Sequence, residues 1–238
     1  FFIDQKLRFR FSDLKLYDKL LMRDLIRYGT PVLLNEALWA VGTSVQASIM
    51  GHIDYSTGDP VAANSIASML QQLAWLVIFG VANAAAVITG RTIGEGEHEK
   101  AREQAAAFRR ISYGIGAASF LLLFFIRNYA VGFYKVDEAT KLLAREMIGV
   151  IAGLTFFVSI VGICLVGVLR GGGDTRFCMF LEIGTLWLIG IPLGYLAAAV
   201  LRLPVPFVLA AMKVDEPTKA LACIHRVRGG KWLKSITR

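Results

Sequence analysis

The chain has 238 residues, of which 55% are hydrophobic and 18% are charged, and its mean hydropathy is +0.56. Average soluble domains are about 45–50% apolar and about 25% charged, so this composition excludes an ordinary soluble domain and indicates a polytopic membrane protein. The formal net charge of +8 fits Lys- and Arg-rich cytoplasmic loops. Since no basic run carries interleaved aromatic residues, we expect no nucleic-acid partner.

Six apolar segments are long enough to cross a bilayer as helices, which takes about 20 residues each. In chain order they cover residues 26–52, 61–93, 111–131, 147–169, 177–200 and 204–224. We therefore predict an all-α fold, a bundle of six transmembrane helices in the lipid bilayer. Residues 97–110 are predicted to form an amphipathic cytoplasmic elbow, with its acids early and its bases late as a helix dipole prefers, and residues 135–146 an outside loop with a helical pattern.

The same pattern divides the chain into three parts. Residues 1–25 are predicted to form a basic amphipathic cytoplasmic linker helix, residues 26–226 the six-helix transmembrane lobe, and residues 227–238 a basic cytoplasmic tail. The chain begins with Phe1 and not with Met, so we expect it to be part of a longer protein.

A membrane-edge hairpin joins the fourth and fifth segments. Its glycines end the first helix and let the backbone reverse, and the nearby arginines favour the cytoplasmic side. No strand precedes it and no Gly-Lys-Ser/Thr follows, so a phosphate-binding loop has little support. We call this motif the glycine hairpin, and it consists of Arg170, Gly171, Gly172, Gly173 and Asp174.

The sixth segment carries charges that the other segments lack. An isolated charge at the bilayer centre costs about 2.5–3.5 kcal/mol, so we expect pairing of Asp215 with Lys219 and of Lys213 with Glu216. We predict that this segment spans the membrane with its charged face turned inward; the alternative is that it lies shallow in the interface. The charged cluster comprises Lys213, Asp215, Glu216 and Lys219.

Chemistry other than transport finds little support in the residue pattern. Cys164, Cys178 and Cys223 lie in or at the ends of apolar segments without CxxC spacing, which indicates buried side chains and neither a disulfide framework nor a zinc site. No Ser-His-Asp or paired-carboxylate arrangement shares a plausible cavity. We therefore expect no enzyme activity, metal or cofactor beyond a transported Na⁺ or H⁺.

Four motifs, in this order and spacing, resemble the carboxy-terminal lobe of multidrug and toxin extrusion (MATE) transporters. They are residues 28–32 leading to Trp39, residues 80–86 leading to residues 90–96, residues 167–176 followed by Trp187 and Pro192, and residues 230–234. The resemblance covers nearly the whole chain. It implies one six-helix lobe of a twelve-helix transporter in which two lobes face each other in a V.

The resemblance also implies a function. Such transporters use an inward flow of Na⁺ or H⁺ to export drugs and other cationic or amphipathic compounds across the plasma membrane. The chain would need an amino-terminal lobe or a second copy of itself, and we expect no transport by this lobe alone. A lipid-linked oligosaccharide flippase or an inactive half-transporter or scaffold stays open, although the first five segments lack the mid-membrane Arg or Lys that a pyrophosphate site needs.

Glu36 is the candidate for ion coupling, with Asn35 beside it. An ionisable residue inside a membrane indicates function by default, and some family members carry a cation-coupling acid in this helix. In that role Glu36 should face the interior of the lobe. The alternative is that Glu36 pairs with a base at the cytoplasmic edge or reaches the headgroups.

Other polar and aromatic side chains are candidates for lining the transport cavity, although both sets serve more often in helix packing. The candidate lining residues are Trp39, Gln46, Asn64, Gln71, Gln72 and Asn83. Aromatic walls for flat cations are a further hypothesis for Trp39, Trp75, Phe79, Phe156 and Phe157.

Charge bias predicts that both termini are cytoplasmic. Nineteen of the 26 Lys and Arg residues fall in segments that this topology places inside, and five in segments that it places outside. Single cysteines introduced at Ser56 and Glu138 should therefore react with an impermeant thiol reagent added to intact cells. Protection of both positions would contradict the topology.

Overall fold

The computed structural model describes residues 19–53 and 58–233, which form seven helices and no strand. The helices are α1 (Lys19–Gly51), α2 (Pro60–Gly94), α3 (His98–Gly132), α4 (Glu138–Arg170), α5 (Thr175–Val200), α6 (Val205–Met212) and α7 (Asp215–Arg228). The predicted all-α fold is therefore confirmed. The last part of α4, Gly162–Arg170, is wound as a π-helix, as are Leu186–Gly190 and Leu196–Val200 within α5.

Four helices, α2 to α5, are long and apolar enough to cross a membrane. The other two predicted crossings correspond to α1, which has 33 residues, and to α6 and α7 together. α1 carries the polar residues Asn35, Glu36 and Gln46 along its length, which lowers its apolar character.

Three predicted boundaries differ from the structure. The elbow at residues 97–110 is helical but does not form a unit apart from the third segment, because α3 continues unbroken through Arg110 and Ile111, where neither Gly nor Pro interrupts it. The helical pattern of the predicted loop at residues 135–146 is present from Glu138, where Asp137 caps α4, so this stretch belongs to the helix of the fourth segment. α1 starts at Lys19, while residues 1–18 of the predicted linker lie outside the described residues, so the division into domains stays a prediction.

α4 is the central helix of the bundle. In the most apolar stretch of α4, 67% of the residues are buried, whereas the corresponding share is 28% in each of α2, α3 and α5. Small residues bring its backbone against α2: a Cβ at Gly167 would lie 3.0 Å from the carbonyl oxygen of Ala82 and 2.9 Å from the Cβ of Ala85. Such close backbone contact is how helices in membranes gain packing energy.

Two helix caps hold the end of the bundle near Gly58 and Asp137, which we call the far end. Asp59 accepts the N–H of Val61 at 2.9 Å, and its own N–H donates to Thr140 Oγ1 at 2.9 Å. The Thr140 hydroxyl in turn donates to Asp137 Oδ1 at 2.7 Å. This hydroxyl, followed by backbone N–H donors, holds the pKa of the Asp137 carboxyl below its ordinary value.

The glycine hairpin closes the opposite end, which we call the hairpin end. Gly173 has φ +86°, a left-handed conformation that favours glycine, and the Asp174 N–H donates to the carbonyl oxygen of Leu169 at 3.0 Å. The fully buried ring of Trp232 lies against Gly172. Arg226 donates to Asp174 Oδ2 at 2.8 Å, so the carboxy-terminal helix is tied to the hairpin.

The sixth predicted segment is not one helix. α6 ends at Met212 and α7 begins at Asp215, because the ring of Pro217 collides with the carbonyl of residue 213 in a continuous helix and Pro217 is tolerated in the first turn of a new one. The expected Asp215–Lys219 ion pair is present at 2.9 Å, with both residues buried. The expected Lys213–Glu216 pair is wrong, since Glu216 binds Lys219 at 2.7 Å.

Replacing Gly171 by Ala should destabilise the lobe. The new Cβ would lie 2.8 Å from both the Cα and the carbonyl oxygen of Ala86, which belong to the α2 backbone and cannot rotate away. We expect a loss of about 1–3 kcal/mol in the free energy of unfolding, measured by denaturation in detergent. Gly184→Ala is the matched control, because no atom lies within 4 Å of its Cβ position. Equal stability of the two variants would contradict the proposed α2–α4 packing.

The buried ion pair of α7 should appear as an energetic coupling. Asp215→Leu leaves Lys219 with Glu216 alone and should cost about 1–3 kcal/mol in the free energy of unfolding. Adding Lys219→Leu should recover part of that loss. A double-mutant cycle is expected to give a coupling energy of about 0.5–3 kcal/mol, and additive single effects would show that the pair contributes nothing.

Candidate functional site

Asn35 and Glu36 lie next to each other in α1, near the hairpin end, and their side chains face different sides of the helix. Asn35 is buried, and its Nδ2 donates to Glu182 Oε2 of α5 at 2.7 Å. Its buried Oδ1 has no hydrogen-bond partner among the described residues. Because consecutive helix residues are about 100° apart, Glu36 then faces outward, and its side chain is 57% exposed. Glu36 therefore does not face the packed interior of this lobe, and its role in ion coupling stays a prediction.

Glu36 pairs instead with a base at the hairpin end, which was the alternative. Arg170 Nη1 donates to Glu36 Oε1 at 3.3 Å, and Nη2 of the same guanidinium donates to Glu182 Oε2 at 2.6 Å. We call Asn35, Glu36, Arg170 and Glu182 the Glu182 network. This network joins α1, α4 and α5. Arg170 lies closer to Glu182 than to Glu36, so Glu36 is the more loosely held of the two carboxylates.

Sequence reasoning did not single out Glu182 as a site residue. The signal was available, because Glu182 is the lone acid of the apolar segment 177–200 and follows Arg170 across the glycine hairpin. A hairpin that reverses the chain brings residues on its two arms together. An acid on the second arm is therefore the expected partner of Arg170.

A polar cavity of about 180 Å³ lies within the lobe between α1, α2, α4 and α6. It brings together three of the predicted lining residues, Gln46, Asn64 and Gln71, with Lys213 from the charged cluster. Thr43 and Ser68 add hydroxyl groups that sequence reasoning did not name as site residues. The Gln46 side chain reaches the helix break, where its Nε2 donates to the carbonyl oxygen of Met212 at 3.4 Å.

Three other predicted lining residues do not join this cavity. Trp39, Gln72 and Asn83 are exposed and lie outside its lining. Gln72 and Asn83 are turned about 80–100° from Asn64 around α2, by the helical repeat. A second lobe that faced them could still enclose them, so their role stays a prediction.

The predicted aromatic walls are mainly packing contacts within the described residues. The rings of Trp75 and Phe79 stack on each other with centroids 4.9 Å apart, and Phe156 contacts Phe157 at 5.6 Å. Phe156 also stacks on Tyr113 at 6.3 Å.

The described part of the chain offers no ligand set for a metal ion. No group of three or more His, Cys, Asp or Glu side chains within residues 19–53 and 58–233 could hold one. Cys164, Cys178 and Cys223 are free and buried, as their apolar surroundings predicted.

Solved structures with the same fold include MATE transporters. "Crystal structure of MATE in complex with MaL6" aligns with 97% of this chain and 53% of that chain, with a TM-score of 0.81 and 16% identity. An outward-facing MATE family transporter of the MOP superfamily aligns with 90% of this chain and 47% of that chain, with a TM-score of 0.76 and 17% identity. At these identities the structures support the fold alone.

Curated relatives share more sequence. The chain is 30% identical over 191 residues to the probable multidrug resistance protein NorM of Xanthomonas campestris pv. campestris, covering 78% of this chain and 41% of that protein. It is 28% identical over 180 residues to the multidrug resistance protein PmpM of Pseudomonas aeruginosa, covering 75% and 36%. The chain thus spans less than half the length of these relatives. The MatE family profile matches residues 31–196, and the chain belongs to the MatE family of multidrug and toxin extrusion transporters.

Proposed function

We propose that this chain forms one lobe of a cation-coupled antiporter that exports drugs and other organic cations across the plasma membrane. The observation that carries the proposal is the 191-residue match to a probable multidrug resistance protein of which the chain covers 41%. The functional unit in this proposal contains a second lobe, either an amino-terminal lobe or another copy of the chain. Both termini of the lobe lie on the cytoplasmic side.

One exposed side of α1 supports an organic cation as the substrate. Glu36, Trp39 and Thr43 are spaced at i, i+3 and i+7, so they follow one side of the helix. Trp39 is 49% exposed, so its ring is open to stack on a flat cation. Thr43 also lines the polar cavity, so this side of α1 connects the exposed groups to the interior.

We propose that Glu36 responds to the coupling cation through its contact with Arg170. Arg170 contacts Glu182 at 2.6 Å and Glu36 at 3.3 Å. When Glu36 moves away from the guanidinium, the shorter bond to Glu182 remains. A proton or Na⁺ on the Glu36 carboxylate neutralises the charge that attracts Arg170, and the contact between α1 and the hairpin end weakens. In this coupling step the Glu36 carboxylate exchanges its contact with Arg170 for a contact with the cation.

Glu36→Gln should separate coupling from substrate binding. The amide keeps the size of the side chain but carries no charge. In the two-lobe transporter reconstituted in liposomes, we expect wild-type efflux of a fluorescent organic cation to rise under an imposed inward Na⁺ or H⁺ gradient. We expect the Gln variant to bind the same compound and to lose that gradient-driven rise.

Glu99→Gln is the matched control, because Glu99 is a highly exposed acid at the start of α3. Protein abundance is measured for every variant. A normal gradient response of the Glu36 variant would place coupling in another residue and leave the proposed transport intact. A wild-type protein that ignores both gradients would contradict cation coupling itself.

A further inference from the structure

Two arginines lie near the far end of the lobe, on the neighbouring helices α3 and α4. Arg127 is five residues before the end of α3, and Arg145 is seven residues after the start of α4. At 1.5 Å per residue, these positions are about 8 Å and about 11 Å inside the helix ends. α4 has 33 residues, so about 10 Å of it extends beyond the hydrocarbon core at each end. Both arginines therefore lie where the lipid headgroups meet the hydrocarbon.

The same seam between α3 and α4 holds both arginines. The Arg127 guanidinium covers Gly149 of α4, because its Nη1 lies 2.7 Å from the position that a Cβ would take there. Arg145 stands four residues before Gly149 and shares its side of α4. Phe156, seven residues after Gly149, stacks on Tyr113 of α3 at 6.3 Å. This side of α4 therefore follows α3 for about three helical turns, and we call the part that carries Arg127 and Arg145 the arginine seam.

Neither guanidinium has an acidic partner within residues 19–53 and 58–233. No carboxylate of these residues forms an ion pair with Arg127 or Arg145 within 4.0 Å. The Nε of Arg145 is buried and has no hydrogen-bond partner there. Arg127 lies on the ring of Phe124, with its Cζ 4.2 Å from the ring centroid. This aromatic contact holds the Arg127 guanidinium in place and leaves its charge without a counter-charge.

The acids near the arginine seam do not neutralise it. Glu138 is paired with Lys141 at 2.8 Å, and Asp137 is engaged in the cap of α4. Glu146 is exposed and is turned about 100° from Arg145 around the helix. Even when Glu146 is counted, two guanidinium groups and one carboxylate leave a net charge of one positive unit. One phosphodiester group, which carries a single negative charge, would balance it.

We propose that the arginine seam binds the headgroup of an anionic phospholipid, with the phosphodiester held by Arg127 and Arg145. The planar guanidinium donates parallel N–H bonds to two oxygens of one phosphate, which is why arginine suits this ligand. A cation at this depth needs a counter-charge, and the phosphate layer of the bilayer supplies one. Toward the bilayer centre, Leu121 and Phe124 are 50% and 38% exposed and offer apolar surface to an acyl chain.

This lipid site goes beyond the proposed transport and does not depend on it. The proposed orientation, with both termini cytoplasmic, enters only in assigning the arginine seam to the outer leaflet. Loss of gradient-driven efflux in the reconstituted transporter would leave the lipid binding unaffected, so the two proposals fail separately.

Native mass spectrometry of the chain purified in detergent counts the bound lipid molecules directly. Phosphatidylglycerol is the probe, and phosphatidylcholine with the same acyl chains is the comparison, because its choline group neutralises the phosphodiester charge. We expect one saturable phosphatidylglycerol molecule that binds about tenfold more tightly than phosphatidylcholine, the effect of a charge-assisted hydrogen bond. Equal affinity for the two lipids would overturn the proposal.

Variants assign the binding to the two arginines. Arg145→Gln should weaken phosphatidylglycerol binding about tenfold, whereas Arg145→Lys keeps the charge and should lose less. Arg127→Gln should act like Arg145→Gln, which keeps the test decisive if one of the two folds poorly. Arg202→Gln is the matched control, since it removes an exposed arginine from the α5–α6 loop at the same end and should leave binding unchanged. Melting temperatures in lipid-free detergent identify the folded variants, and native affinity in both Gln variants would contradict the assignment.

Competition with inorganic phosphate identifies the source of the anion. Displacement of phosphatidylglycerol by an equal concentration of inorganic phosphate would overturn the lipid assignment in favour of a free phosphate ion. Phosphatidylglycerol binding that resists phosphate supports the proposal, because a lipid adds the apolar contact of its acyl chains to the charge.

Discussion

The close approach of α2 and α4 is the contact on which the rest of the lobe depends. Gly167 of α4 and Gly171 just after it meet alanines of α2 with almost no space for a further methyl group, and α4 lies at the centre of the bundle. Between helices in lipid, van der Waals packing of this kind replaces the hydrophobic driving force of soluble proteins. Once α4 is held there, its last residue, Arg170, reaches α1 and α5 at the hairpin end.

Charges inside the lobe follow a second constraint, because an unpaired charge away from water is costly. Asp215 and Lys219 pair within α7, Arg226 pairs with Asp174, and Arg170 pairs with Glu182. Each of these pairs also connects two turns of one helix or two different helices. The same ion pair therefore neutralises a buried charge and stabilises the fold. Lys213 donates to Gln46 Oε1 at 3.4 Å, next to a cluster in which two acids, Asp215 and Glu216, share the single base Lys219.

The coupling that we propose depends on a difference between a tightly held and a loosely held carboxylate. Glu182 is enclosed by Asn35 and Arg170, whereas Glu36 meets Arg170 at a longer distance from an exposed position. The helix break between α6 and α7 serves the cavity in a similar way, since it frees the backbone carbonyl of Met212 to meet Gln46. Broken helices that present polar groups to a binding site are a recurring device in transporters.

Composition and hydropathy determined the membrane class and the all-α fold, because both depend on local properties of the chain. Local chemistry also predicted the glycine hairpin and the Asp215–Lys219 pair, whose partners are one helix turn apart. The helix break at residues 213–214 could have been predicted from Pro217, because the clash between its ring and the preceding helix turn is local. Only the tertiary structure decided that Asn35 faces inward while Glu36 faces Arg170, that Glu182 joins them, and that Gln46, Asn64, Gln71 and Lys213 share one cavity. Those contacts join residues far apart in the chain, and the rotation of each helix about its axis is set by packing against its neighbours, which no single segment encodes.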